Sequence, residues 1–64
     1  MNSARHSTVE YFTDEANEHH FRVRAANGEI IATSEGYSRR EDAERGFDDA
    51  KMSFAAAIPK ETAE

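Results

Sequence analysis

No cysteine occurs among the 64 residues, which excludes disulfide staples and every thiolate metal site. Tryptophan is also absent, lysine is confined to Lys51 and Lys60, and the single proline, Pro59, stands close to the C-terminus. No run is apolar for long enough to span a bilayer, and the opening "MNSARHSTVEYF" lacks the apolar segment of a secretory leader. The expectation is a soluble, cytoplasmic chain with no membrane partner. A surplus of positive charge is missing too: 13 acidic against 8 basic residues give a net charge of −5, which works against non-specific attraction to nucleic acid or an anionic surface. Acids along much of the chain, though none in 1–9 or 19–28, together with many alanines and few lysines, match the composition of proteins from salt-adapted cytoplasms. A chain this short buries only about 60% of the surface its unfolded form exposes. Without disulfides or thiolate metal sites, oligomerisation is the remaining common source of added stability.

What is present is well-marked local structure. Residues 1–7 show no periodicity and are expected to be a flexible lead-in. "TVEYFT" (8–13) alternates as a strand, with Val9 and Tyr11 on one face and Glu10 and Phe12 on the other, and "DEANE" (14–18) has the composition of a loop. "HHFRVRAA" (19–26) alternates again. Asn27-Gly28 then predicts a two-residue type I′ turn, because both residues tolerate positive φ. That loop length pairs Ala26 with Glu29, Ala25 with Ile30, Arg24 with Ile31, Val23 with Ala32 and Arg22 with Thr33. The register puts Phe21, Val23, Ala25, Ile30 and Ala32 on a core face and Arg22, Arg24, Ile31 and Thr33 on a mixed one.

Ser38-Arg39-Arg40-Glu41 has capping-box spacing and predicts a helix from Arg39. Ala43, Phe47, Ala50 and Phe54 recur at intervals of three and four and form the stripe that packs on the sheet. Gly46 in mid-helix costs about 1 kcal/mol against alanine and points to a close backbone approach by another element. Tyr37, just before the cap, is placed to staple onto the helix. Pro59 ends any continuation, so 58–64 is expected to be a flexible tail.

The stretch "FRVRAANGEIIATSEGYSRREDAERGFDDAK" resembles the repeat unit of the YegP-like family of small domains. The matching positions are Phe21, Arg22, Ala25, Asn27, Gly28, Glu29, Ile30, Ser34, Glu35, Tyr37, Ala43, Glu44 and Gly46. With the first strand, the resemblance covers about residues 8–54. It implies an α+β fold in which a three-stranded antiparallel sheet packs on one C-terminal helix, as tandem copies or, for a single copy, as a homodimer with or without exchange of elements. One domain, 8–57, is expected. The first loop, "TDEANEHH", and the strongly acidic helix depart from the family's usual pattern. The resemblance carries no reaction, cofactor or catalytic residue.

The residues themselves agree. His19 and His20 are adjacent on a strand and face opposite ways, so one chain cannot chelate a metal with both; a site would need His6 or a second subunit. Ser34 and Ser38 lack a nucleophile elbow, and the many carboxylates lie on a solvated helix face. No catalytic, cofactor or metal residue is assigned, and the chain is read as a non-enzyme. Arg22 and Arg24, with Phe12 or Tyr11 nearby, could stack and pair with a nucleic-acid single strand. The simpler reading is that their stems cover the sheet's second face and their charges pair with Glu10, Glu29 or a partner chain. Arg39 and Arg40, at a helix N-terminus, call for neighbouring carboxylates. The expected function is a homodimeric interaction or accessory protein whose surface involves Phe12, Arg22, Arg24, Ile31, Thr33 and Met52. The alternative is a single-stranded nucleic-acid module using the Arg22/Arg24 face.

Overall fold

Two hairpins of the same construction lay down the sheet. In the computed structural model, which describes residues 6–63, β1 (Thr8–Thr13), β2 (His19–Arg24) and β3 (Ile30–Thr33) form an antiparallel sheet in the order β1-β2-β3, followed by α1 (Arg40–Ala56). In the first loop the Asn17 N–H donates to the Asp14 carbonyl, the Asp14 N–H donates to the Glu18 carbonyl, and Asn17 takes φ 67°. In the second, the Gly28 N–H donates to Ala25, the Ala25 N–H donates to Glu29, and Gly28 takes φ 96°. Both are three-residue loops whose last residue is left-handed, a position that glycine fills without strain and asparagine tolerates.

The second loop corrects the expected type I′ turn. Only Gly28 of the Asn-Gly pair is left-handed; Asn27 instead uses its side-chain oxygen to accept from the Glu29 N–H at 3.0 Å. The longer loop shifts pairing by one residue, so Arg24 lies opposite Ile30 rather than Ile31. A β-bulge at Ile31 then restores the expected pairs, Val23 with Ala32 and Arg22 with Thr33. Ile30 consequently leaves the predicted core face, and both isoleucines are exposed. β2 also ends at Arg24, two residues short of the expected strand.

The first hairpin keeps the predicted faces, with Tyr11 opposite Phe21 and Val9 opposite Val23, while Glu10 faces Arg22 and Phe12 faces His20. After β3 the chain returns to β2, where His19 and Tyr37 exchange backbone hydrogen bonds of 2.7 and 2.8 Å. Extended backbone therefore persists past Tyr37, and the helix starts one residue later than the capping box implied. Arg39 is the N-cap, with φ −137° and ψ 153°, and no side chain caps it, Ser38 included. The helix dipole is met instead by Glu41 and Asp42 in the first turn, whose carboxylates also pair with Arg39. Arg40 pairs with Glu44 at 3.0 Å and lies 4.3 Å over the Tyr11 ring.

The core is small. Phe21, 6% exposed, meets Phe47 edge-on at 5.5 Å between ring centroids, and Ala43 is fully buried beside them. At about 100° per residue, Ala43, Phe47, Ala50 and Phe54 do share one helix face. The stripe nevertheless outruns the sheet: Phe54 is 66% exposed, and every described residue from Lys51 onward is exposed. Phe54 is thus not the core residue its periodicity implied.

Gly46 does face a close approach, by the Tyr37 side chain rather than by backbone. A Cβ there would lie 2.8 Å from Tyr37 Cζ and closer still to its hydroxyl. Because Tyr37 is anchored to His19 through its backbone, its ring can yield only by turning about its side-chain bonds. Gly46→Ala gains about 1 kcal/mol of helix propensity and loses about 1–3 kcal/mol to overpacking. Net destabilisation is expected in a urea denaturation series, reversed in the Tyr37→Leu background.

Candidate functional site

The face of the sheet away from the helix gathers most of the residues expected to form an interaction surface. β1 contributes Glu10 and Phe12, β2 contributes His20, Arg22 and Arg24, and Thr33 lies opposite Arg22 on β3. Arg22 Nε donates to Glu10 Oε1 at 2.7 Å, while Arg24 reaches the same carboxylate through Nε at 3.1 Å and Nη2 at 3.2 Å. Arg24 Nη1 also donates to the Gly28 carbonyl at 2.7 Å, tying the face to the second loop. The Arg22 guanidinium lies 4.5 Å over the Phe12 ring, whose plane stacks on His20 at 5.1 Å. The pairing with Glu10 is the simpler role foreseen for these arginines. Their hydrogen bonds, Arg24's first and Arg22's second, hold the Glu10 carboxyl down from 4.5 to about 2 against a smaller upward push from burial.

Two expected surface residues stand apart. Ile31 occupies the bulge at the β3 edge and is 60% exposed. Met52 is about 180° around the helix from Ala43, so it points away from the sheet. It does not join Phe12, Arg22, Arg24 and Thr33.

A second constellation, which the sequence reading did not assemble, lies at the adjoining corner. Asp14, Glu18 and His20 bring one ligand atom each within 4.8 Å of one another. The first loop is wound around Asp14: its Oδ1 accepts from the N–H groups of Ala16 and Glu18 at 2.9 Å, leaving Oδ2 to meet His20 Nε2 at 2.7 Å. His20 Nδ1 faces the Ser34 carbonyl at 3.2 Å. Gly36 supplies room for Glu18, because a Cβ at 36 would lie 2.8 Å from Glu18 Cδ. The signal in the sequence is Asp-x-x-x-Glu-x-His, whose members converge only because Asn17 is left-handed and folds the loop back. His19 and His20 do face opposite ways, as expected. The Ser34 hydroxyl accepts from the Phe21 N–H and donates to the Glu35 carbonyl, which commits it to the backbone.

These contacts set a pH profile. The Asp14 hydrogen bond, helped by the Ser34 carbonyl, raises His20 above 6.5, and the His20 bond lowers Asp14 below 3.8. A raised histidine stabilises fully below its unfolded value and loses that contribution as pH rises through the folded one. Lowered carboxyls stabilise above their unfolded values and lose that contribution as pH falls through the folded ones. In chelator-treated buffer the melting temperature is therefore expected to be highest between about pH 4.5 and 6.5. Circular dichroism melts check it, and Asp14→Asn should flatten the alkaline decline.

A three-stranded sheet with matched hairpins, one face under a helix and the other bearing a carboxylate-locked arginine pair, defines a small α+β domain. The chain belongs to a family: residues 14–57 match the model described as "Domain of unknown function (DUF1508)", the same family as the YegP-like domains its motifs resemble. It is 42% identical over 45 residues to a UPF0339 protein of Methanosarcina acetivorans, covering 70% of this chain and 78% of that one. Against a UPF0339 protein of Neisseria meningitidis serogroup B the identity is 38% over 52 residues, covering 81% and 93%. The solution structure of a Haloferax volcanii protein superposes with a TM-score of 0.81 at 29% identity, over 91% of this chain and 98% of that one. Among the described residues, no helix is long and apolar enough to cross a membrane.

Proposed function

We propose that the chain acts as a homodimeric, non-catalytic interaction or accessory module, and that the second copy covers the part of α1 that outruns the sheet. The observation that carries this reading is Phe54: it continues the stripe of buried Ala43 and half-buried Phe47 and Ala50, yet stands two-thirds exposed. Ile58, beyond it, is more exposed still.

The backbone leaves α1 extended at Ala57, with φ −68° and ψ 141°, and the residues that follow are exposed. This segment is the element best placed for exchange between copies. The nucleic-acid alternative has the Phe12–Arg22 stack in its favour, but Glu10 occupies both guanidinium groups and halves their net charge, and the chain as a whole carries −5, which weakens the attraction for a strand of phosphates. Size exclusion with light scattering across a salt series tests the dimer. A folded species of twice the chain mass supports it, and a folded monomer at high micromolar concentration would refute it.

A further inference from the structure

We propose that Asp14, Glu18 and His20 form a binding site for a divalent transition-metal cation of the zinc class. The proposal goes beyond the dimer reading and stands independently of it. The three ligand atoms come from the first loop and from β2, and they converge within 4.8 Å.

The orientation of the imidazole carries the argument furthest. His20 Nδ1 faces a carbonyl, Ser34 O, and can satisfy it only by donating its proton. In the neutral ring, Nε2 then presents a lone pair to Asp14 Oδ2, itself an acceptor, at 2.7 Å. Two lone pairs at that distance need a positive centre between them, either a proton or a metal ion. A backbone carbonyl on the far nitrogen is also the outer contact typical of metal-bound histidine, where it fixes the tautomer and the ring plane. Stacking on Phe12 holds that plane a second time. Asp14 Oδ1 is fixed by two backbone N–H groups, and Glu18 is seated where Gly36 leaves space.

The donor set selects the cation. Magnesium and calcium favour six or more oxygens, whereas one imidazole with two carboxylates suits zinc and its neighbours. Ligand atoms about 2.1 Å from a tetrahedral zinc lie roughly 3.4 Å apart, so the Asp14–His20 distance must open by several tenths of an ångström. A small pivot of the partly exposed Asp14 carboxylate about its anchored Oδ1 supplies that movement. Three protein ligands leave a fourth position for water.

The test is a titration of the full chain with zinc chloride at neutral pH in a non-chelating buffer, followed by amide spectra and by the ring nitrogens of each histidine. Saturation at one zinc per chain is expected, with shifts centred on residues 14–20 and Ser34 and with His20 Nε2 as the bound nitrogen. Magnesium at the same concentrations should produce no such shifts. Glu18→Gln and Asp14→Asn should each weaken binding by about tenfold or more, while His19→Gln leaves it unchanged. Asn at position 14 keeps the oxygen that holds the loop, and the amide spectrum verifies the fold of each variant. A response centred on His6 or His19, an affinity unchanged in Glu18→Gln, or no saturation by millimolar zinc would overturn the proposal.

Discussion

Phe21→Ala is expected to leave the chain largely unfolded at room temperature. Phe21 lies on the central strand, is almost fully buried, meets Phe47 edge-on and sits opposite Tyr11. Truncating a buried phenylalanine costs about 3–5 kcal/mol. A domain of this length has roughly 3–10 kcal/mol of total stability, so one side chain accounts for a large part of it. Little else could compensate, because Ala43 is the only other buried apolar residue among those described. Far-ultraviolet circular dichroism and a denaturant series measure the effect. A native spectrum with an unchanged midpoint would show that the stabilising contacts lie elsewhere.

Phe54→Asp is expected to weaken dimerisation by at least about thirtyfold, the 2 kcal/mol expected of an interface anchor. Within its own chain Phe54 has little packing to lose, since most of its surface is already exposed. Any large effect must therefore come from a second molecule. Met52→Asp is the internal control: Met52 is even more exposed, but it projects from the opposite side of the helix. Sedimentation velocity across a dilution series should separate the two variants. Equal effects would mean that charge on the helix end, rather than the apolar stripe, governs assembly.

Much of the fold was legible in the sequence because strand alternation and helix periodicity are local. β1 occupies the expected residues, and the sheet order and the pairs Arg22–Thr33 and Val23–Ala32 are as read. The second turn was misread because Asn-Gly suits two loop geometries, and only the bulge at Ile31 distinguishes them. The helix start was misplaced because the capping box describes local chemistry, whereas pairing of Tyr37 with His19 keeps the backbone extended. Periodicity assigned Phe54 to the correct helix face, but it carries no information on where the sheet beneath that face ends. The Asp14, Glu18 and His20 cluster was illegible for a related reason. Its spacings of four and two residues fit no single period, and a left-handed Asn17 brings the members together. Strand alternation, by contrast, offered Arg22 and Arg24 three partners, Glu10, Glu29 or a partner chain, and the structure pairs both with Glu10.

The most direct test is an isotope-filtered NOE experiment on a mixture of labelled and unlabelled chains, refolded together so that any dimers are mixed. Cross-peaks between the Phe54 ring of one chain and apolar side chains of the other are the expected result. A fully folded sample in which every Phe54 contact is intramolecular would contradict the claim that a second copy completes this fold.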